Sequence, residues 1–226
     1  MINSGMTLAD IAAALRKDVL VLQRHVAERF ADMERHHRRR GRGIRVESGE
    51  FTSPDEIQWL YVLTISATKT VLYPLAWYLT KDGVHAMQID AEGPMTYLRP
   101  HVLARYLERY LEDTDLIGGL KRMHLRNYDK ACEPSRYKGR PAVASAVEDG
   151  YLLGCMIFRD TVVDISTFYD EKMAKKNPFL RRLRGFLELR RYFTATNPTS
   201  AKSTCNRYVS WGQGFPVRLE RLRRAV

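Results

Sequence analysis

The first forty residues have the hydrophobic period of a helix. From Thr7 to His36 apolar residues recur at spacings of three and four, which predicts one long amphipathic helix capped by Thr7 and Asp10. The stripe is narrow and continuous, so it must be buried on the chain's own core or on a partner helix, as in a homodimer. The helix is expected to end in a basic hinge, residues 34–43, which contains Arg38, Arg39, Arg40 and Arg42.

After Gly43 the period changes to that of strands. Residues 44–51 alternate, and residues 57–66, 71–80 and 84–89 are rich in β-branched and aromatic side chains. Asp82-Gly83 predicts a hairpin turn between the last two strands. Because the connections are too short for crossover helices, antiparallel pairing is expected.

The second half of the chain again begins with helices and continues with strands. Helices are predicted over residues 94–113 and 115–131, a three-stranded meander over 141–169, and a helix over 170–193 that is interrupted near Pro178. The predicted class is α+β, an antiparallel sheet with helices packed on one face, a long N-terminal helical arm and a basic C-terminal helix. The predicted organisation is an N-terminal helix and hinge, residues 1–42, and an α+β domain, residues 43–226.

The net charge of the chain indicates a class of binding partner. The chain has 37 Lys and Arg against 26 Asp and Glu, a formal charge of +11, which favours a polyanionic partner, RNA in the first instance. An acidic protein or an acidic membrane surface would meet the same requirement. The predicted phosphate-binding residues are those that cluster along the chain. They are Arg38, Arg39, Arg40, Arg42, Lys175, Lys176, Arg181, Arg182, Arg184, Arg190 and Arg191. A further basic patch covers residues 218–224.

Several classes of protein are not indicated. Cys132, Cys155 and Cys205 make no Cys-x-x-Cys pair, so neither a disulfide framework nor a zinc site is expected, and no cofactor motif is present. The start lacks the pattern of a signal peptide, and the longest apolar stretch, residues 57–79, is interrupted by Lys69 and Pro74. The expected location is therefore the cytoplasm, with no membrane span.

Candidate chemistry is concentrated on the helix that follows Pro100. His101, Arg105 and Arg109 are spaced by four and therefore form one polar stripe. Metal-free cleavage of RNA needs a proton-transfer group and fixed cations for the phosphate, which an imidazole and two guanidinium groups supply. The alternative is an ordinary solvated face on which Glu108 and Glu112 balance the arginines. His85, on a predicted strand, is interpreted as structural.

Residues 96–169 resemble a small family of bacterial ribonuclease toxin domains in the barnase–EndoU–colicin–RelE group. The resemblance rests on the His-x-x-x-Arg-x-x-x-Arg helix and on the closing strand Ile165-Ser166-Thr167-Phe168-Tyr169. It implies that His101 transfers protons, that Arg105 and Arg109 bind phosphate, and that Thr167 or Tyr169 supplies a hydroxyl group. It also implies a cognate antitoxin as a protein partner.

Two functions therefore remain open at the level of sequence. The first is a metal-independent endoribonuclease of the toxin type. The second is a non-catalytic protein that binds nucleic acid or a protein partner through its basic surface.

Overall fold

The computed structural model describes residues 2, 5–40, 43–67, 69–89, 94–111, 115–137, 140–158, 161–174, 176–196 and 217–218. Within these ranges the side chains of residues 40, 173, 189–196 and 217–218 are not described. Everything stated below about the structure refers to this part of the chain.

The elements follow the alternation of helix and strand periods along the chain. Their bounds are α1 (Leu8–Arg40), β1 (Arg45–Thr52), β2 (Gln58–Ile65), β3 (Thr70–Thr80), β4 (Gly83–Gln88), β5 (Met95–Leu98), α2 (Pro100–Tyr106), a π-helical turn (Leu107–Leu111), α3 (Leu116–Asn127), β6 (Ala131–Tyr137), β7 (Arg140–Val147), β8 (Gly150–Ile157), β9 (Val162–Asp170), α4 (Glu171–Ala174), α5 (Pro178–Thr196) and β10 (Val217–Arg218).

The described strands form one ten-stranded sheet. Its order is β1-β2-β3-β4-β5-β9-β8-β7-β6, and β10 pairs with β3. Neighbours are antiparallel as predicted, with one correction: β5 and β9 are parallel, with Met95 opposite Val162. A parallel pair needs a long connection, and here helices α2 and α3 and strands β6 to β8 provide it.

Helix α1 packs on the sheet of its own chain. Its stripe, which includes the fully buried Leu15, Leu22 and Val26, shares a core with residues of β2 and β3. Trp59 on β2 donates a hydrogen bond from Nε1 to buried Asp18 on α1 (2.6 Å). Of the two alternatives, the described residues of the stripe are therefore buried on the chain's own core, which α1 shares with the sheet. Most of the predicted hinge is also helical, because α1 continues to Arg40.

Helices α2 and α3 lie on the opposite face. In β2, Trp59 and Tyr61 belong to the α1 core, whereas Leu60 between them belongs to a second core with Leu103 and Leu120. Successive side chains of a strand point to opposite faces. The α+β class is thus confirmed, but the helices cover both faces rather than one. The cause is visible in β2, where five consecutive residues are buried and no side faces water.

Helix α5 returns to the α1 face. On β8, Tyr151 and Leu153 pack with Leu183 and Leu187 of α5, while Leu152 points to the α2–α3 core. The predicted interruption before Pro178 is present, because α4 ends at Ala174 and α5 begins at Pro178. Asn177 caps α5 by accepting the backbone N–H of Phe179 at 3.1 Å.

Two predicted segments differ from the structure. The helix predicted from residue 94 begins only at Pro100, because Met95–Leu98 forms strand β5 between β4 and β9. Strand β6 was not predicted, since the helix was extended to residue 131. It is an edge strand and contains Pro134, a residue that edges tolerate and that obscures a strand pattern.

A buried carboxylate joins α2 and α3 to the turn between β7 and β8. Asp149 accepts hydrogen bonds from Tyr106 Oη (2.7 Å), Asn127 Nδ2 (3.0 Å) and the guanidinium group of Arg126. Burial alone would raise the pKa of Asp149, but these hydrogen bonds outweigh it and hold the pKa below its usual value. We call Asp149, Arg126, Tyr106 and Asn127 the Asp149 cluster. It fixes the helix that carries His101.

Among the described residues, no helix combines the length and the apolar character required to cross a membrane. The two described cysteines, Cys132 and Cys155, are free thiols, and Cys205 lies outside the described residues.

Candidate functional site

The polar stripe of α2 lies along an open edge of β9. Strand β5 pairs with β9 only as far as Ile165, whereas β9 continues to Asp170. His101 Nε2 lies 2.8 Å from the carbonyl oxygen of Ser166, and Arg109 Nη1 donates to that of Phe168 at 3.1 Å. The stripe thus satisfies carbonyl groups that a further strand would otherwise satisfy.

Arg105 lies between these two contacts. Its Nη1 donates to the hydroxyl oxygen of Thr167 at 3.0 Å. The structure therefore places His101, Arg105 and Arg109 in one row, as the spacing of four predicted, and Thr167, which only the family resemblance indicated, lies beside Arg105. Tyr169 is not part of this row: it pairs with Tyr151 and packs against the core beneath α5.

The hydrogen bond of His101 determines where the ring can accept a proton. The carbonyl oxygen of Ser166 can only accept, so Nε2 must carry the hydrogen. In the neutral imidazole the lone pair is then on Nδ1. His101 is exposed, so Nδ1 is the atom that can act as a base at this site.

Arg109 lies on the π-helical turn that follows α2. This turn, Leu107–Leu111, also carries Tyr110, whose ring lies 5.3 Å from that of Tyr106. Tyr110 and Tyr106 both contact the ring of Phe168 edge-on, at 5.4 Å. The turn therefore anchors the end of the stripe to β9. Turns of this kind are frequent at functional sites.

His101 also stands at the rim of an open cavity of about 480 Å³. The cavity lies on the α1 face, between the start of α1 and strands β4, β5 and β9. Its lining is of mixed character and consists of Leu8, Asp82, His85, Tyr97, Arg99, Pro100, His101, Ile157 and Asp164. The volume is within the range of pockets for small ligands.

An ion pair forms one wall of this cavity. Arg99 Nε donates to Asp164 Oδ1 at 2.7 Å, and Nη2 donates to Oδ2, so the pair is bidentate. The hydrogen bonds to Asp164 raise the pKa of Arg99 further above its usual value. Asp164 is buried and Arg99 is half-exposed. The carboxylate is therefore neutralised inside the protein while the guanidinium group still faces the cavity.

Two aromatic side chains on neighbouring strands, His85 and Tyr97, line the cavity, and the ring of Tyr78 on the next strand continues the row beyond His85. The rings of Tyr78 and His85 are 5.0 Å apart and nearly parallel, and those of His85 and Tyr97 are 5.9 Å apart with a similar orientation. His85 is held on both sides, by Tyr97 Oη at 2.6 Å from Nδ1 and by Thr80 Oγ1 at 2.9 Å from Nε2. Burial lowers the pKa of His85, and the charge of Asp82 opposes this in part. We call Tyr78, His85 and Tyr97 the aromatic row.

Sequence reasoning did not assign Tyr97, Arg99 or Asp164 to the site. Tyr97 fell within a helix prediction, and Asp164 fell within the predicted meander with no role assigned to it. Arg99 lies two residues before His101, the first residue of the His-x-x-x-Arg-x-x-x-Arg motif, which was the one signal available. His85 was interpreted as structural, and its two hydrogen bonds agree with that role even though it lines the cavity.

Comparison of the chain with models of known protein families, with curated proteins and with solved structures found no match. The resemblance to ribonuclease toxins therefore stays a prediction that rests on the residues of this chain alone.

The predicted phosphate-binding residues divide into three groups. Some are held in contacts within the protein: Arg38 pairs with Glu34, Arg182 pairs with Glu133, and Arg184 donates to the carbonyl oxygen of Val147 and pairs with Glu171. Arg39, Lys176 and Arg181 are exposed. Outside the described residues lie Arg42 and Lys175, together with the side chains of Arg40, Arg190 and Arg191.

Within the described residues there is no group of three or more His, Cys, Asp or Glu side chains that could hold a metal ion.

Proposed function

We propose that this protein is a metal-independent endoribonuclease of the toxin type, which cleaves RNA at the row formed by His101, Arg105, Arg109 and Thr167. One observation carries the proposal. His101 is held through Nε2 on the carbonyl oxygen of Ser166, which leaves Nδ1 of this exposed, cavity-lining ring as its base, one helical turn from Arg105. A proton acceptor and a cation in a fixed relation are the minimum that RNA cleavage requires.

The reaction follows from this arrangement. His101 Nδ1 takes the proton of a ribose 2′-hydroxyl group, and the 2′-oxygen attacks the adjacent phosphorus. The bond from phosphorus to the 5′-oxygen breaks, and the departing oxygen takes a proton from water at the exposed site. The products are a 2′,3′-cyclic phosphate and a 5′-hydroxyl end. The proton on His101 then passes to solvent.

Arg105 supplies the charge that the transition state needs. A guanidinium group has five N–H donors, and one of those of Arg105 is used on Thr167. The remaining donors are available to the phosphate oxygens, on which negative charge increases during attack. The contact with Thr167 limits the motion of the side chain, so less conformational entropy is lost when the phosphate binds.

Binding of the rest of the RNA is assigned to exposed basic residues. Arg39, Lys176 and Arg181 are exposed, and the whole chain carries a formal charge of +11. Neutralisation of phosphates by such residues makes affinity depend steeply on salt. An acidic antitoxin is the corresponding proposed protein partner, since it would mask the same surface.

The deciding experiment is cleavage of RNA in EDTA by wild-type protein, His101→Ala and Arg105→Ala. Matched controls are His36→Ala and Arg24→Ala, which remove an exposed histidine and an exposed arginine on α1. Both site variants are expected to cut at least about 100-fold more slowly, and both controls at nearly the wild-type rate. Cleavage by His101→Ala at the wild-type rate, with a normal circular dichroism spectrum, would exclude the proposal.

A non-catalytic binding protein is the second candidate, and one observation favours it. His101 and Arg109 complete the open edge of β9, which is a structural role that needs no chemistry. In that case the wild-type protein would bind single-stranded RNA with a steep salt dependence, about −0.7 in log–log slope for each phosphate neutralised, and would leave it intact.

A further inference from the structure

The cavity beside His101 differs from the His101–Arg105 row in one respect: its one arginine is already paired, and a second carboxylate lies at its edge. Asp164 is neutralised by Arg99, and Asp82 adds a second carboxylate at the rim. A phosphate group inside this cavity would meet two carboxylates and one arginine, whereas at Arg105 it would meet a cation with donors to spare. The cavity therefore suits a neutral group, and the phosphate belongs outside it.

The aromatic row gives that neutral group rings to stack on, because two of its three members, His85 and Tyr97, line the cavity. The three rings stand on adjacent strands and are parallel to within 7°. Two hydrogen bonds fix His85 between Thr80 and Tyr97, so the row is rigid before any ligand arrives. A preformed surface of this kind reduces the entropy lost on binding, and every nucleobase has a planar face that can stack on it.

The remaining walls fit the edge and the sides of a planar heterocycle. Leu8, Pro100 and Ile157 provide apolar contacts, while Arg99 and the carboxylate of Asp82 provide a donor and an acceptor. Asp82 is exposed at the tip of the β3–β4 turn, so its oxygens can accept N–H groups from the edge of a base.

We propose that this cavity is a nucleoside subsite, which receives one unpaired base of the RNA while the adjacent phosphate lies at His101 and Arg105. The inference rests on the proposed function for the phosphate's position. It also names the substrate class: the base must leave its stack to enter the cavity, so the substrate is single-stranded RNA. Duplex RNA, whose bases are paired and stacked, is expected to be cut at least about tenfold more slowly.

The test measures binding of small ligands, so that it does not depend on cleavage. Wild-type full-length protein is titrated with the four ribonucleoside 3′-monophosphates and, separately, with inorganic phosphate. At least one nucleotide is expected to bind about tenfold or more tightly than phosphate, because it adds stacking to the same anion. Equal affinity for phosphate and all four nucleotides would overturn the subsite.

Two variants locate the binding. Tyr97→Leu removes the ring next to Asp164 and is expected to weaken nucleotide binding about tenfold, with phosphate binding unchanged, whereas Tyr97→Phe keeps the ring and most of the affinity. Leu8→Trp fills the cavity from α1 and should have the same effect as Tyr97→Leu. Its control is Leu79→Trp, on an exposed strand position away from the cavity lining.

The outcomes separate the two proposals. If nucleotides bind and Leu8→Trp weakens that binding while RNA stays intact in EDTA, the subsite stands and the endoribonuclease proposal fails. If RNA is cut in a His101-dependent manner while Leu8→Trp and Tyr97→Leu, both folded by circular dichroism, cut single strands as fast as wild type, the subsite is wrong and the cleavage proposal stands.

Discussion

The two Arg–Asp pairs of this protein have the same chemistry and opposite surroundings. In the Asp149 cluster the carboxylate of Asp149 accepts hydrogen bonds from Arg126, Tyr106 and Asn127. The backbone N–H of Asp149 also donates to Asn127 Oδ1. In the cavity, Asp164 accepts from Arg99 alone among the contacts described. The carboxylate of Asp149 is 3% exposed, although Arg126 itself is 55% exposed, whereas Arg99 and Asp164 line the open cavity of about 480 Å³.

The difference shows how to separate a structural ion pair from one at a binding site. A carboxylate with all its lone pairs occupied cannot receive a ligand without losing a partner. A pair that opens onto a cavity, and whose carboxylate accepts from one side chain among the contacts described, can bind one and keep the pair intact. The residue types are the same in both cases, so only the completeness of the hydrogen bonding tells them apart.

The largest expected effect on stability is that of removing the carboxylate of the Asp149 cluster. Asp149→Ala leaves the buried hydroxyl group of Tyr106 and the buried amide of Asn127 without their acceptor, while Arg126, which is 55% exposed, can be solvated; the free energy of unfolding should fall by about 3–5 kcal/mol. Chemical denaturation measures it. The control is Asp55→Ala, an exposed carboxylate, expected to change stability by less than about 0.5 kcal/mol. A loss below 1 kcal/mol for Asp149→Ala would remove the distinction between the two pairs.

The next largest expected effect is on the pH dependence of stability, through a buried histidine. His124 is buried, and burial lowers its pKa to about 4, with its ring held on the carbonyl oxygen of Tyr73 at 3.0 Å. The unfolded chain, with a pKa near 6.5, binds the proton more readily, so stability is full above pH 6.5 and is lost as pH falls towards 4. The expected loss is about 3 kcal/mol.

His124→Gln tests this assignment. The variant should lose most of the pH dependence between 6.5 and 4, leaving a smaller part of the same sign from His85, whose pKa is also lowered. Equal slopes for His124→Gln and wild type would show that another group titrates.

A smaller effect is expected for the open pair. Asp164→Ala frees Arg99, which is 46% exposed and can be solvated in the cavity, so the free energy of unfolding should fall by about 1–2 kcal/mol. Nucleotide binding should fall with it, because Arg99 is no longer held in the wall. If Asp164→Ala destabilises the protein as much as Asp149→Ala, the two pairs are equivalent and the comparison fails.

The smallest effect on stability belongs to the exposed stripe. Arg105→Lys keeps the charge but not the planar fork that meets Thr167 and the phosphate. Stability is expected to change by less than about 0.5 kcal/mol, while the rate of RNA cleavage falls at least about tenfold. A rate equal to that of wild type would mean that Arg105 contributes only charge.

Local pattern in the sequence predicted much of this fold. The period of three and four gives α1, and Asp82-Gly83 gives the β3–β4 turn. Spacings of four placed His101, Arg105 and Arg109 in one row, which the contacts along β9 match. These features depend on residues that are close in the chain, where periodicity and turn chemistry are informative.

The cavity depends on pairs that are far apart in the chain. Nothing near Tyr97 in sequence indicates that it lies beside Asp164, because that proximity follows from the parallel pairing of β5 with β9. Strand β5 has only four residues. A strand this short, placed directly before the helix that begins at Pro100, is not distinguished by its pattern from the first turn of that helix. Both its existence and its neighbour are set by tertiary contacts, which override local preference.

The same parallel pair has a consequence for folding kinetics. Strands β1 to β5 and β6 to β9 each form an antiparallel meander with short connections, whereas Met95 must find Val162 across the whole second meander. Long-range parallel pairing is slow, because loop-closure entropy is lost before contacts compensate it. The join between the meanders is therefore expected to form last. Tyr97 and Asp164 come from opposite sides of that join, so a nascent chain would acquire its cavity only in the final step of folding.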